Sequence, residues 1–117
     1  GPERQEDFIE AMAEAAAGMI QDIGADKMLY ISVLNNLSVD CDCSANPAQP
    51  ELHDIGILGS LDPIALDKAS VDLIYQADDR ESASLRERIE SRKGLLKLEH
   101  GEKLGLGSQK YDLISLD

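Results

Sequence analysis

The segment from Asp54 to Ala77 constrains the fold most, because it joins a short apolar strand to a helix through a strong helix start. Residues 54–61 are rich in Ile, Leu and Gly and predict a strand that ends at Asp62-Pro63. An Asp side chain accepts hydrogen bonds from the free N–H groups of a helix start, and proline is suited to the first helical position, where no donor is needed. We therefore predict that Asp62 and Pro63 cap a helix that continues to about Ala77.

The patterns on both sides of this segment predict an α/β domain. Residues 5–23 place apolar side chains at helical spacing, and residues 28–34 are a nearly continuous apolar run, typical of a strand buried on both faces. Two further helices are predicted over 82–93 and from Leu95, and the alternation in 110–116 predicts a final strand. The expected fold is a small mixed or parallel sheet covered by helices, in the order α-β-loop-β-α-α-α-β.

The first two residues and the lengths of the apolar runs predict what kind of protein the chain comes from and where that protein is located. Gly1-Pro2 is typical of a scar left by a tag-removing protease, so residues 3–117 are expected to form one α/β domain cut from a longer protein. The apolar runs are short and interrupted by charges, which predicts neither a membrane-spanning helix nor a secretory signal. We expect a cytoplasmic protein.

The net charge of −12 limits the partners. Nucleic acids and anionic membranes are bound through clustered Lys and Arg, so neither is expected as a partner. Residues 38–79 hold nine acids and one base, whereas residues 80–110 hold five acids and eight bases. We interpret the basic side chains as a solvated helix face paired with nearby Glu, and a docking face for an acidic partner is the alternative.

Cys41 and Cys43 are the only cysteines, and they lie one residue apart in a long loop without periodicity. An extended Cys-x-Cys pair directs two soft thiolate ligands at one metal ion. Zinc and ferrous ions require about four ligands, as does a four-iron cluster, so other donors are needed. The nearest donors in the sequence are Asp40, Asp42, His53 and Asp54.

Other interpretations of the two cysteines stay open. They are also consistent with inert, partly buried thiols, with a strained short-loop disulfide, or with thiol redox chemistry. No Ser lies in a nucleophile-elbow pattern, and no glycine-rich run matches a dinucleotide or P-loop motif. We therefore expect no catalysis from this part of the protein.

Three motifs together resemble a known family. They are Val39-Asp40-Cys41-Asp42-Cys43, the run from His53 to Ser70, and Leu104-Gly105-Leu106-Gly107-Ser108. The chain resembles the C-terminal half of the iron–sulfur-centre proteins of bacteria and archaea in the domain of unknown function 362 family. Many members of that family are similar to this chain but carry, in addition, a ferredoxin-like module before the helix that corresponds to residues 5–23. The cysteines that hold the clusters of that module have no counterpart in this sequence.

This resemblance implies a metal-binding or redox-associated domain. Cys41 and Cys43 would hold a Zn or Fe ion, or contribute thiolates to an iron–sulfur cluster completed by the ferredoxin-like module. The alternative is a structural or docking domain that packs on that module, or on a second copy in a homodimer, with inert cysteines.

Overall fold

Four helices and one small sheet make up the computed structural model of the chain, which describes residues 2–40 and 45–116. The helices are α1 (Pro2–Ile23), α2 (Pro63–Gln76), α3 (Asp79–Ser91) and α4 (Leu96–Lys103), and the strands are β1 (Tyr30–Leu34) and β2 (Gly56–Ser60). A short 3-10 turn links α1 to β1, after Gly24 ends α1 with φ 103°. The predicted α/β class is confirmed, and the predicted order is confirmed as far as α4.

The two strands pair antiparallel, with Tyr30 opposite Ser60 and Leu34 opposite Gly56. They form the only sheet in the described part of the chain. The predicted mixed or parallel arrangement of the sheet is wrong. A parallel pair needs a crossover connection that brings the chain back to the end of the sheet where the first strand began. The β1–β2 loop instead returns the chain directly alongside β1.

The C-terminal segment, residues 111–116, forms no strand, contrary to the prediction from its alternation. It passes beside β2. The Tyr111 hydroxyl donates to Asp72 Oδ2, and the Ser108 N–H donates to Asp62 Oδ2. These two hydrogen bonds fasten the start of the segment to α2 and to its N-cap residue.

Helix α2 lies at the centre of the fold, where it contacts both strands, α3 and α4, while α1 packs against α4. A Cβ on Gly101 would lie 2.5 Å from Ile64 Cδ1, so the missing side chain lets α4 approach α2 closely. Among residues 2–40 and 45–116, none of the helices combines the length and apolar character that crossing a bilayer requires. The buried apolar core consists of Ile9, Ala13, Ala17, Ile20, Leu34, Leu52, Ile64, Ala65, Leu66, Ala69, Ile74 and Leu98.

Candidate functional site

The β1–β2 loop, which carries the predicted metal ligands, is closed at its base by two hydrogen bonds. The Ile55 N–H donates to Leu34 O over 2.8 Å, and the Asn36 N–H donates to Asp54 Oδ1 over 2.8 Å. Asn36 adopts φ 53°, a left-handed conformation that asparagine tolerates better than most residues. The Asp54 carboxylate therefore serves as a closing group for the loop.

Asp40 ties together the chain on either side of the two cysteines. Its Oδ2 accepts from the Ala48 N–H over 2.8 Å, and the Ser38 hydroxyl donates to Ala48 O over 2.7 Å. Arg88 of α3 donates from Nη1 to Val39 O over 2.7 Å, and its Nη2 lies 3.6 Å from Asp40 Oδ1. Both flanks of the cysteine pair are thus fixed to each other, and the first flank is fixed to α3.

His53 lies against α3. Its Nδ1 is 2.5 Å from Glu81 Oε2, and the neighbouring Glu51 accepts a hydrogen bond from the Ser84 hydroxyl over 2.9 Å. Leu52 lies between these two contacts and is buried. The His53 imidazole is therefore directed at a carboxylate of another element, with which it forms an exposed ion pair when protonated.

The described members of the predicted metal set do not share one site. Asp40, His53 and Asp54 each contact a different partner, as described above. Within residues 2–40 and 45–116, no group of three His, Cys, Asp or Glu side chains is placed to hold a metal ion. The other predicted ligands, Cys41, Asp42 and Cys43, lie outside the described residues. Metal binding by this loop stays a prediction.

Asp62 is the N-cap residue of α2, and Pro63 occupies the first helical position. Asp62 Oδ1 accepts from the N–H groups of Ile64 and Ala65, each over 2.9 Å. The second carboxylate oxygen accepts from the Ser108 N–H over 2.9 Å, a contact that the sequence analysis missed. One carboxylate thus caps a helix and anchors a distant loop.

Gly107 is the sequence signal that points to this contact. A Cβ at Gly107 would lie 1.9 Å from Asp62 Oδ1, so only glycine lets the backbone pass this close to the carboxylate. The neighbouring Gly105 has φ 78° and open space around it, which fits a turn instead. The two glycines of one motif therefore have different physical roles.

A second connection joins the C-terminal segment to α2 through Asp72. The Tyr111 hydroxyl donates to Asp72 Oδ2 over 2.5 Å, and Lys68 Nζ donates to Oδ1 over 2.8 Å. The hydrogen bond to Asp72, with burial, raises the pKa of Tyr111 to about 12. Burial raises the pKa of Asp72, but hydrogen bonds from Lys68 and Tyr111 outweigh it and leave that pKa below its ordinary value.

One face of the sheet is exposed. The register places Ile31 opposite Gly59 and Val33 opposite Ile57, so these residues share a face. The other face carries Ser32, whose hydroxyl accepts a hydrogen bond from Ser70 of α2 over 3.4 Å. Among the described elements, only α2 packs on the sheet. The prediction that β1 is buried on both faces is therefore wrong.

The exposed face is strongly apolar. Ile31, Val33 and Ile57 are 63%, 55% and 68% exposed, and Leu29 and Leu61 extend the same alternation beyond the strands. We call these five side chains the open sheet face. Contiguous apolar surface of this kind is typical of a protein–protein contact, whereas the solvated face of an antiparallel sheet normally carries polar side chains.

An apolar cavity of about 300 Å³ lies between α1, the start of α2, and α4. All three methionines of the chain, Met12, Met19 and Met28, line it, and an ion pair between Asp67 and Lys97 lies among the lining residues. Methionine side chains adapt to irregular apolar partners, so this cavity is suited to an apolar group.

Comparison with known proteins assigns a family to more than half of the chain. Residues 2–72 match the family described as Domain of unknown function (DUF362). This range covers α1, both strands and most of α2. No curated protein and no solved structure matches the chain.

Proposed function

We propose that this chain, which belongs to the DUF362 family, is a docking domain that packs its open sheet face against a second folded module. The observation that supports the proposal is the exposure of Ile31, Val33 and Ile57 side by side on a sheet whose other face is covered by α2. A sheet with one buried face usually carries polar side chains on the other. Here the uncovered face carries Ile31, Val33 and Ile57 instead.

Burying these side chains would stabilise a complex. Full burial of a Val, Leu or Ile side chain contributes roughly 1.5–3 kcal/mol, and the three strand residues are each more than half exposed. Covering them therefore contributes about 1 kcal/mol or more per side chain. Leu29 and Leu61 enlarge the contact at its rim.

The family resemblance suggests a ferredoxin-like iron–sulfur module as the occupant of the open sheet face. A second copy of this chain is the less favoured occupant, because two domains that each carry −12 repel one another. The proposed setting is the bacterial or archaeal cytoplasm, where both modules would belong to one parent chain.

Titration calorimetry between this chain and a purified ferredoxin-like module from a family member tests the proposal. We expect Val33→Lys to weaken binding at least tenfold, because it places a charge in the buried contact. Met19→Lys, an equally charged change at a 60% exposed site on α1, should leave binding within twofold. Absence of binding by the unaltered chain, or equal losses in both variants, would contradict the proposal.

Metal binding by Cys41 and Cys43 is a second candidate function. It is supported by the contacts of Asp40, Ala48 and Arg88, which hold the flanks of the cysteine pair in place and so lower the entropy lost when two thiolates bind one ion. The two thiolates would hold Zn or Fe, with Asp42 or donors from another module as further ligands.

Elemental analysis of anaerobically purified protein, with thiol titration before and after a strong chelator, tests the second candidate. We expect about one metal ion per chain or per dimer, thiols that react only after chelation, and loss of the ion in the double variant Cys41→Ser, Cys43→Ser. Two freely reacting thiols in metal-free protein would contradict it.

A further inference from the structure

Helix α1 carries a second apolar stripe beside the one that it buries. Its four largest side chains are accessible: Phe8 and Met19 are each 60% exposed, Met12 is 46% exposed and Ile23 is 45% exposed. Since an α-helix turns about 100° per residue, these four and two exposed alanines lie within an arc of about 100° on one side of α1. We call these six side chains the outer stripe: Phe8, Met12, Ala15, Ala16, Met19 and Ile23.

The outer stripe gives α1 more apolar surface than its packing within the fold uses. Among the described elements, α1 packs only against α4 and the 3-10 turn that follows it. Its buried residues are a different set, Ile9, Ala13, Ala17 and Ile20. A surface helix normally carries one apolar stripe and polar side chains elsewhere, so a helix with two such stripes is typical of one that packs on two neighbours.

The spacing within the outer stripe is palindromic. Successive members are 4, 3, 1, 3 and 4 residues apart, so the pattern reads the same in both directions along the helix. Two antiparallel copies of α1 that cross at the central alanines would therefore place every member opposite another apolar side chain. Phe8 of each copy would face Ile23 of the other, and Met12 would face Met19. Such self-complementarity is what a two-fold interface between identical chains requires.

The side-chain sizes in the outer stripe follow the shape of a helix crossing. Packed helices lie about 8–10 Å apart, and small side chains allow the closest approach. Ala15 and Ala16 stand at the centre of the stripe. The larger members lie about one and two turns away on either side, where two crossing helices diverge and leave more room.

The same register keeps carboxylates apart. Residues whose numbers add to 31 face each other, so no acidic residue of α1 lies opposite another acid. Asp7 faces Gly24, for example, and Asp22 faces Ile9. The net charge of −12 still opposes the pairing over longer distances, and dissolved salt screens this repulsion.

The outer stripe is continuous with the apolar cavity described above. Met12, Ala16 and Met19 belong to the stripe and also line the cavity. Phe8 of a second copy, placed opposite Ile23, would lie about one helical turn from Met19. Covering the stripe would therefore also shield the α1 side of the cavity from water.

We propose that the outer stripe of α1 is a homodimer interface, across which α1 of a second copy packs antiparallel with Phe8 opposite Ile23 and Met12 opposite Met19. The palindromic spacing favours a second copy over an unrelated helix, because only an interface between identical surfaces requires it. The contact is about 22 Å long, short for a permanent interface, so we expect a reversible dimer with a dissociation constant between about 10 µM and 1 mM.

Sedimentation of the whole chain at increasing protein concentration, up to about 1 mM, tests for the dimer. We expect a reversible monomer–dimer equilibrium that becomes at least threefold tighter when NaCl is raised from about 0.05 M to about 0.5 M, because salt screens the repulsion between two acidic copies. A monomer at every protein concentration, or a dimer that salt weakens, would overturn the proposal.

Two matched variants locate the interface. Ala15 and Ala83 are both exposed alanines within helices, of α1 and α3 respectively. We expect Ala15→Glu to weaken dimerisation at least tenfold, because it places two carboxylates at the crossing point, and Ala83→Glu to change it by less than threefold. Equal effects would overturn the outer stripe as the interface. A dimer lost in Val33→Lys but kept in Ala15→Glu would form through the open sheet face and would also overturn it.

A mixing experiment tests the antiparallel register. Met12→Glu and Met19→Lys should each weaken dimerisation at least tenfold. An equal mixture of the two variants should associate at least fivefold more tightly than either alone, since the mixed dimer places the new carboxylate opposite the new ammonium and keeps one Met12–Met19 contact. No gain on mixing would overturn the proposal. Because Met19→Lys leaves module docking unchanged in the preceding experiment, the two proposals fail independently.

Discussion

The Ser108 N–H donates to Asp62 Oδ2 over 2.9 Å, which joins residues 46 positions apart. Since Asp62 Oδ1 is already used by the first turn of α2, the same carboxylate links helix start and C-terminal loop. The strand-to-helix junction and the glycine-rich motif are therefore one structural unit.

Asp62→Ala should lower the free energy of unfolding by about 2 kcal/mol, because it removes a cap and leaves the Ser108 N–H without its acceptor. Asp78→Ala is the matched control: Asp78 caps α3 through a single bond from the Arg80 N–H and should cost about 1 kcal/mol. Urea unfolding of both variants measures the difference, and equal losses would show that the Ser108 contact contributes nothing.

Gly107→Ala and Gly18→Ala should change stability in opposite directions. The new Cβ at position 107 would collide with a carboxylate held by its own hydrogen bonds, which costs about 2 kcal/mol. Gly18 is exposed within α1 with no atom near its missing Cβ, so alanine there should add about 0.5–1 kcal/mol. Thermal unfolding checks both signs, and a neutral Gly107→Ala would contradict the close approach to Asp62.

Tyr111 should titrate near pH 12, well above the ordinary tyrosine pKa of 10. The neutral hydroxyl is the form that donates to Asp72, so its contribution to stability is fully present below pH 10 and is lost as the pH rises through 12. Burial and a hydrogen bond to Glu90 also raise the pKa of Tyr75, so ultraviolet titration of phenolate absorbance should show late ionisation in both proteins, with the step near pH 12 missing in Tyr111→Phe. Identical titration curves for the two proteins would contradict the assignment.

Tyr111→Phe should also change how the free energy of unfolding falls at acidic pH. The pKa of Asp72 lies below its ordinary value of 3.8, so its ionised form contributes stability above that value and loses it as the pH falls through the lowered pKa. Tyr111→Phe removes one of the hydrogen bonds that lower the pKa. We therefore expect a shallower loss of stability on acidification in Tyr111→Phe, measured by urea unfolding between neutral and strongly acidic pH.

Ser82→Ala should stabilise the protein. Ser82 is fully buried in α3, and its hydroxyl oxygen has no hydrogen-bond partner among the described residues. Removing an unsatisfied buried hydroxyl should raise the free energy of unfolding by about 1 kcal/mol. Ser84 lies on the same helix, and Ser84→Ala should not stabilise the protein because it loses a hydrogen bond to Glu51 of the β1–β2 loop. Destabilisation by Ser82→Ala would indicate a partner for this hydroxyl.

Local patterns predicted the helices and both strands well, because these depend on near neighbours. The Asp62-Pro63 start and the apolar spacing of α1 are visible within a few residues. The final strand was predicted from alternation, but alternation does not specify a pairing partner, and Tyr111 instead reaches Asp72. Contacts such as Asp40 with Arg88 and His53 with Glu81 also depend on the tertiary fold.

The open sheet face likewise shows that a local pattern predicts a strand but not the tertiary contacts of that strand. The run from Leu29 to Leu34 indicates correctly that β1 is mostly apolar, but hydrophobicity does not show which element covers each of its faces. In this chain the described elements supply one cover, α2. The apolar run predicted burial of β1 on both faces, and among the described elements only one of those faces is covered.

The packing of α1 against α4 has a consequence for synthesis on the ribosome. The partner helix begins about 70 residues after α1 ends, so at cellular elongation rates α1 is exposed for roughly 4–15 s before α4 emerges. During that interval the buried stripe of Ile9, Ala13, Ala17 and Ile20 has no native cover. A nascent chain of this protein therefore offers an amphipathic helix to chaperones well before α4 is synthesised.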